Sequence, residues 1–289
     1  MVNYSLPNID GLCNEMHVCF ARLFKEHSDW MQPDVRIESA YGSFPHFDLN
    51  GGRSYYGTHV KQKEMEEAFS HLSEFNIFPR IVCTNQLVTK KDLNDSYTKR
   101  VLKTAAKYNG QAIVYLDEIG KAIKETYGMP LILTTNRHLK TPQEVNEACK
   151  IYDTVVFNYN YHKDESFLVQ LEHPEQIEIM ANEMCPINCS YRQNHSLSES
   201  KLQLANKKFK LVCQQSLKKD VILSMFTPEE VQKYSKLYKI NHFKIVGRER
   251  GVIDNFNDIK NYLVLPKHMK DVENYFQQNF SDPDALNIL

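Results

Sequence analysis

A cysteine-bearing stretch between two predicted strands holds the residues whose types and spacing best suit metal chemistry. It contains Cys185, Cys189 and Cys213, and the first two form a C-x₃-C pair beside Pro186. Thiolates are soft ligands that select iron–sulfur clusters, zinc or copper(I). A loop with a proline can curl so that both sulfurs face one centre, which predicts an iron–sulfur cluster at these three cysteines, with zinc as the alternative metal. The opposing interpretation is unligated thiols, because the commoner signatures use C-x₂-C.

Three cysteines leave the fourth ligand of such a cluster unassigned. The candidates are Cys83 at the end of a predicted strand, Cys13 near the N-terminus, and His195. An open position is the other alternative. It would leave one metal atom free to bind a substrate or water, as the open position of a catalytic zinc site does.

Carboxylates, amides and hydroxyls stand where the predicted strands end, and on a barrel such side chains converge on one pocket. Glu38 and Glu183 are the predicted acid/base residues, because a partly desolvated carboxylate can have a raised pKa. Lys244 joins them as a predicted catalytic cation that faces an anionic group. The predicted substrate-binding residues are Tyr41, Ser43, Arg53, Asn85, Asn136, Asn158, Asn182 and Arg248. Taken singly, such residues could equally cap a helix or belong to an ordinary turn.

The elements that must position these residues are short β-rich runs that alternate with helical segments from residue 34 onward. The predicted strands are 35–39, 80–84, 111–117, 130–136, 153–160, 177–182, 220–226 and 242–247. Most are continuously apolar, as expected for parallel strands covered on both faces. Eight βα repeats with right-handed crossovers predict an α/β fold of the (β/α)₈ TIM-barrel type. A doubly wound open sheet is the alternative, although no G-x-G-x-x-G turn follows the first predicted strand.

The uneven spacing of these runs indicates how a single domain is organised. Apolar residues at helical spacing predict an N-terminal helical cap at residues 1–33, before a barrel at 34–265. The connection at 183–219, after the sixth strand, is much longer than the others and carries the three cysteines. Long connections in compact domains are usually functional or disordered. Residues 266–289 are predicted to form a C-terminal tail.

Composition narrows the class of protein. Among 289 residues, 35 lysines and arginines nearly balance 36 aspartates and glutamates, and the net charge of −1 argues against nucleic-acid binding. The chain lacks a secretory signal pattern and any run of about 18 apolar residues that could span a membrane. We therefore expect a cytoplasmic protein whose cysteines are thiols or metal ligands. It has no Ser-His-Asp order, HExxH motif or P-loop.

Two stretches resemble the collagenase-like peptidase family, which includes iron–sulfur proteins of oxygen-independent hydroxylation. One is EIMANEMCPINCSYRQNH at 178–195, similar to the family's N-x-x-C-x-x-x-C region, and the other is HFKIVGRERG at 242–251, similar to its K-I-E-G-R ending. The order of a βα barrel with a cysteine-rich insertion also agrees. The resemblance implies a barrel and a 4Fe–4S cluster. The chain departs from the family at Val246, where the family has glutamate, and in offering three cysteines instead of four.

These observations predict an iron–sulfur enzyme that acts on a polar or anionic substrate, either a small molecule or a modified biopolymer, by oxygen-independent hydroxylation or a related modification. One alternative is a metal-dependent hydrolase or peptidase with zinc at the same cysteines. The other is a non-catalytic subunit that binds a protein partner and in which the metal only stabilises the loop.

Overall fold

A computed structural model of the chain describes residues 1–51, 58–205, 222–247 and 251–286, and within them it contains ten strands and ten α-helices. The strands are β1 Val2–Pro7, β2 Val35–Gly42, β3 Phe78–Cys83, β4 Gln111–Val114, β5 Leu131–Leu133, β6 Thr154–Val156, β7 Ile177–Met180, β8 Asn182–Pro186, β9 Leu223–Met225 and β10 His242–Lys244. The helices are α1 Gly11–Glu26, α2 Gln62–Ser73, α3 Ser96–Lys107, α4 Asp117–Tyr127, α5 Pro142–Cys149, α6 Glu165–Leu168, α7 Arg192–Ala205, α8 Pro228–Tyr238, α9 Val252–Leu263 and α10 Met269–Asn279.

Eight of the strands close into a barrel in the order β1-β10-β7-β6-β5-β4-β3-β2. Every neighbouring pair in the barrel is parallel. Strands such as β5 and β7 are buried along their whole length, because helices cover the outside while side chains fill the inside. The predicted (β/α)₈ TIM-type barrel is confirmed.

The prediction of a helical cap at residues 1–33 is wrong in its first part. β1 is a barrel strand that pairs with β2 on one side and with β10 on the other. The helical spacing that begins at Leu12 does form α1, but the six residues VNYSLP before it belong to the sheet. Asn3 and Ser5 interrupt the apolar run that marks the other strands, and this hides β1 in the sequence.

The predicted seventh strand, 220–226, is not a barrel strand. Its described part forms β9, which pairs antiparallel with β8 in a separate two-stranded sheet. β8 follows β7 after only Ala181, so the predicted sixth strand, 177–182, includes all of β7 and the first residue of β8, which is not a barrel strand. The insertion predicted at 183–219 therefore follows the seventh barrel strand, and it includes most of β8 and all of α7. Residues 206–221 lie outside the described part.

The predicted tail at 266–289 contains α10, which packs against the barrel helices. The Phe276 ring on α10 lies 4.8 Å from the ring centroids of both Phe20 on α1 and Phe256 on α9. Burial of this aromatic group attaches the segment to the rest of the fold. Within the described residues, none of the helices combines the length and the apolar character needed to cross a membrane.

The barrel interior is layered, as is usual for this fold. The middle layer is formed by Tyr41, Val82, Ile113, Ile132, Val156 and Met180. Below it, towards the amino ends of the strands, Arg80 forms an ion pair with Glu178, and the hydroxyls of Ser5 and Ser39 are 2.6 Å apart. The described side chains thus fill the centre and the lower end of the barrel.

Candidate active site at the barrel mouth

A cavity opens at the carboxyl end of the barrel, beneath helix α7. Its empty space is about 790 Å³, including the part open to solvent. It is lined by Tyr41, Val82, Thr84, Ile113, Thr134, Thr135, Asn136, Val156, Met180, Glu183, Arg192, His195, Ser196, Glu199, Lys244 and Val246. Active sites of characterised (β/α)₈ enzymes lie at this end, so this cavity is the candidate active site.

Lys244, the last residue of β10, brings an amine to the floor of the cavity. The residue is 8% exposed, and its Nζ lies 3.6 Å from the centroid of the Tyr41 ring. The negative face of an aromatic ring attracts a cation. The Tyr41 hydroxyl donates to the carbonyl oxygen of Ile245 at 2.9 Å, which fixes the ring. The floor therefore presents a buried lysine with a defined position.

Glu183 on β8 is the centre of a buried polar cluster on one wall. Its Oε1 accepts a hydrogen bond from the backbone N–H of Cys185 at 2.8 Å, and its Oε2 lies 3.2 Å from Nη2 of Arg192. The Arg192 guanidinium also lies over the Tyr159 ring, 5.1 Å from its centroid. The Glu183 carboxylate is therefore held in orientation by two donors.

The cluster favours charge on Arg192 and disfavours it on Cys185. Burial opposes the charge of Arg192, but Glu183 and the neighbouring thiol and phenol hold its pKa above the usual value. Burial raises the pKa of the Cys185 thiol to about 11. Arg192 and the Tyr159 hydroxyl, which lies 3.6 Å from Sγ, lower this pKa but only partly offset the effect of burial. At neutral pH this wall therefore carries an ion pair beside a protonated thiol.

Helix α7 forms the roof of the cavity. Its His195 and Glu199 face each other at 3.7 Å across one helical turn. The side-chain amide of Gln86 donates to the Ser196 hydroxyl at 2.8 Å. The backbone N–H of Gln86 donates to the Ser200 hydroxyl at 3.1 Å. Polar contacts thus attach the roof to the loop between β3 and α3.

Five of the residues named from the sequence lie in the cavity lining. They are Tyr41, Asn136, Glu183, Lys244 and His195. They come from β2, the turn after β5, β8, β10 and α7. The convergence of strand ends that the sequence predicts therefore brings these residues to one place.

Glu38 lies at the opposite end of the barrel, so the expectation that it faces the same pocket as Glu183 is wrong. Its Oε2 lies 3.0 Å from both Arg80 Nη2 and His242 Nδ1. Burial opposes its charge, but His242 and Arg80 outweigh this effect and hold the pKa of Glu38 below its usual value. The predicted strand ended too early: β2 continues four residues beyond Glu38, to Gly42.

Four predicted substrate-binding residues lie just beyond the carboxyl ends of barrel strands without lining the cavity. The Nδ2 atoms of Asn85, Asn158 and Asn182 donate to backbone carbonyl oxygens at 2.9, 3.0 and 3.0 Å. Ser43 is fully buried just beyond β2. Amides at strand ends satisfy buried backbone groups, and here that structural role takes the place of substrate contact.

Cys185 and Cys189 lie on β8 and on the turn that follows it, outside the cavity lining. The turn is closed by a hydrogen bond from the Cys189 N–H to the Pro186 carbonyl at 3.1 Å, with Asn188 in the left-handed region at φ 59°. In the described part of the chain, no three His, Cys, Asp or Glu side chains come together as a metal site. The described residues therefore contain two of the three cysteines that are predicted to hold a cluster. Cys213 lies outside the described residues.

Two of the candidates for a fourth ligand face away from the cavity. Cys83 belongs to the outer core between strands and helices, and Cys13 is buried on α1. Burial raises the pKa of both thiols, as it does for unligated cysteines in apolar surroundings. The expectation that Cys83 shares the active face is wrong. Arg53 and Arg248, predicted to contact substrate, lie outside the described residues.

The cavity-facing side of α7 is not among the features predicted from the sequence. Arg192 and Glu199 line the cavity, and all four buried side chains of the helix, Ser196, Glu199, Ser200 and Gln203, are polar. These four positions follow the i, i+3, i+4, i+7 spacing of a helix face that packs on other elements. A polar set at that spacing is the signal that could have indicated a helix docked on a polar site.

No family model matches the sequence, and no curated protein matches it significantly. Among solved structures, the U32 peptidase Mk0906 is similar, with 7% identity, a TM-score of 0.55, and coverage of 85% of this chain and 92% of that chain. A GH113 β-1,4-mannanase has 12% identity and a TM-score of 0.43, with coverage of 96% and 97%. At such low identities the likeness shows the fold alone, and it supports the resemblance to the collagenase-like peptidases at that level.

Proposed function

We propose that this chain is an enzyme that acts on a small polar, anionic molecule bound at the barrel mouth. The observation that carries the proposal is Lys244, a buried lysine at the end of a barrel strand, in a cavity that also receives the Arg192 guanidinium from α7. A carboxylate or phosphate bound there would form charge-assisted hydrogen bonds, which are stronger than neutral ones. The position of the cavity at the carboxyl end of the strands supports an enzyme by analogy of fold.

Glu183 and the His195–Glu199 pair are the groups that would transfer protons in this cavity. Glu183 is fixed by two hydrogen-bond donors, and a general acid or base needs such positioning within reach of the substrate. Lys244 would hold the anionic group of the substrate on the floor, and α7 would cover it from above. Acid/base chemistry on a substrate held between floor and roof is the reaction type that these residues suit best.

Ligand binding by thermal stability and calorimetry tests the proposal. A panel of small carboxylates and phosphates is compared with neutral and cationic compounds of similar size. A ligand at about 100 times its Kd adds about 2.7 kcal/mol of stability, so anions that bind should raise Tm clearly. Lys244→Met should weaken the binding of these anions by about 1.5–3 kcal/mol, which raises Kd tenfold or more, because a charged hydrogen bond is lost.

Lys236→Met, on the exposed side of α8, is the matched control and should leave the Kd unchanged. Anions that bind Lys244→Met as tightly as the wild type would contradict the proposal. Binding confined to neutral or cationic compounds would do the same.

A second candidate function is an iron–sulfur enzyme, with the cluster held by Cys185, Cys189 and Cys213. The observation that favours it is the closed turn that follows β8, which keeps Cys185 and Cys189 on one short segment beside Tyr159 at the barrel rim. Thiolates on such a turn are suitable ligands for iron or zinc. A zinc-dependent hydrolase, or a subunit with a structural metal, would use the same cysteines.

Metal analysis of anaerobically purified protein tests this second candidate. A 4Fe–4S cluster requires about four irons and four sulfides per chain and a brown protein, and both should be lost in Cys185→Ser. Cys149→Ser, on α5, is the matched control. Zinc without visible absorption would favour the hydrolase, and less than about one iron or zinc per chain after reconstitution would contradict a metal centre.

A further inference from the structure

The hydroxyl of Thr84 is a buried polar group in the cavity lining without a hydrogen-bond partner in the described part of the chain. The residue directly follows β3 and is 2% exposed. Inward and outward side chains alternate along a strand: Val82 belongs to the inner layer and Cys83 to the outer core, so Thr84 comes next on the inner side. Buried hydroxyls are nearly always satisfied, and one that is not requires an explanation.

The neighbouring threonines show how such hydroxyls are normally satisfied. Thr135 donates to the carbonyl oxygen of Phe157 at 3.0 Å, and the Thr134 hydroxyl accepts from the N–H of Asn136 at 3.4 Å. Other buried side-chain atoms without a partner occur in the described residues, but Thr84 alone among their residues also lines the cavity. The position of Thr84 therefore links its unsatisfied hydroxyl to whatever the cavity binds.

Thr84 and Lys244 stand on different sides of the mouth. Thr84 follows β3 and Lys244 ends β10, and β1 and β2 lie between these strands in the barrel order. A ligand that reaches both residues must carry an anionic group at one end and a hydrogen-bonding group at the other. The hydroxyl of threonine can donate and accept, and a hydroxyl on the ligand is its closest chemical complement.

We infer that the substrate is a small hydroxylated anion and that Thr84 binds its hydroxyl while Lys244 binds its carboxylate or phosphate. This inference rests on the proposed function, because it assumes that the anionic group lies at Lys244. Thr84 is then the specificity-determining residue of the site, because it distinguishes a hydroxylated anion from its deoxy analogue. A site with a buried hydrogen-bonding group discriminates against ligands that leave this group unpaired.

The test uses pairs of anions that differ by one hydroxyl: lactate and propionate, malate and succinate, and 3-hydroxypropyl phosphate and propyl phosphate. We expect the wild type to bind the hydroxylated member of at least one pair about tenfold more tightly, which corresponds to about 1.4 kcal/mol. Thr84→Val should bind both members equally, because valine has the same shape without the hydroxyl. Thr84→Ser should restore the preference.

Thermal stability without ligand provides a second readout that does not depend on knowing the substrate. Thr84→Val should melt at the same temperature as the wild type or higher, since it removes a buried hydroxyl that has no partner. The matched control Thr135→Val should melt a few degrees lower, because it removes the hydrogen bond from the Thr135 hydroxyl to the Phe157 carbonyl oxygen.

The failures of the two proposals are distinguishable. If Lys244→Met weakens binding as proposed, a hydroxyl preference that persists in Thr84→Val, or a clear loss of Tm in that variant, would overturn the inference alone. Binding that is insensitive to Lys244→Met, or the absence of binding for all three pairs, would overturn the proposed function together with the inference.

Discussion

Glu183 is a buried carboxylate shared between a backbone N–H and a guanidinium. Its side chain is 6% exposed and that of Arg192 is 19% exposed. Removal of one partner from a buried pair leaves the other unpaired, at a cost of about 3–5 kcal/mol. We expect Glu183→Leu to lower the free energy of unfolding by about that amount in urea at neutral pH. Glu183→Gln has one acceptor oxygen in place of two, so it can satisfy only one of the two donors. It should cost about 1–3 kcal/mol, because the other donor is left without an acceptor.

An exposed pair of the same type provides the comparison at residue scale. Glu147 on α5 and Lys150, which directly follows that helix, form an ion pair with both side chains more than half exposed. Glu147→Gln should change stability by less than about 0.5 kcal/mol, because water and salt screen such pairs. The double replacement Glu183→Leu with Arg192→Met should recover much of the loss. Equal effects of Glu183→Leu and Glu147→Gln would contradict the buried cluster.

At the scale of elements, α7 is a helix that docks through polar side chains. The Ser200 hydroxyl accepts a hydrogen bond from the Gln86 N–H at 3.1 Å. The Ser200 carbonyl oxygen accepts one from the Asn85 side-chain amide at 3.2 Å. Few apolar contacts support this docking, so we expect α7 to open locally at a lower free energy than the barrel unfolds. Amide hydrogen exchange should be faster in α7 than in α3, whose buried face includes Val101 and Leu102.

The hydroxyl of Ser200 is the contact to remove. Ser200→Ala should increase exchange in α7 about fivefold, as expected for the loss of about 1 kcal/mol, and should leave exchange in β3 to β7 unchanged. Ser198→Ala is the control, because the Ser198 hydroxyl donates within the helix itself, to the carbonyl oxygen of Asn194 at 2.7 Å. Uniform acceleration across the barrel after Ser200→Ala would show that α7 does not open as a separate unit.

The elements also show what the sequence can predict. Short β-rich runs, most of them continuously apolar, predict seven of the eight barrel strands, because burial on both faces limits which residues a strand can contain. β1 is not predicted, because the polar Ser5 interrupts its apolar run. Ser5 points into the barrel and donates at 3.0 Å to Glu178, which is 173 residues further along the chain. The roof of the site is not predicted either: α7 meets Asn85 and Gln86 more than 100 residues from its own sequence. Polar contacts between distant residues leave no local pattern.

At the scale of the whole molecule, a buried polar network joins four strands at the amino-terminal end of the barrel. Arg80 on β3 forms ion pairs with Glu178 on β7 and with Glu38 on β2, and Glu38 also bonds His242 on β10. Burial would raise the pKa of Glu178, but the charges of Arg80, Lys244 and His242 outweigh it and hold its pKa below the usual value. Both carboxyls therefore stabilise the fold in their charged form.

The sign of the pH dependence follows from these lowered pKa values. As the pH falls, the unfolded chain takes up its protons first, because its glutamates keep the ordinary pKa of about 4.3. The contribution of Glu38 and Glu178 is complete above that value and is lost as the pH falls through their folded-state pKa. We expect the urea midpoint of the wild type to fall as the pH drops below the ordinary glutamate pKa of about 4.3. Glu178→Gln, although less stable at pH 7, should show a shallower fall.

Glu66 on α2 is the matched control for this prediction. Its pKa is also lowered, by hydrogen bonds from Gln62 and Lys107, but the carboxyl lies at the surface. About 0.5 M NaCl should remove whatever Glu66 contributes, because exposed charges are screened within a few ångströms at high salt. The contribution of Glu178 should persist, since Arg80 reaches it inside the barrel, where salt does not enter. Identical pH profiles for the wild type and Glu178→Gln at high salt would therefore mean that Glu178 is not charged in the folded barrel.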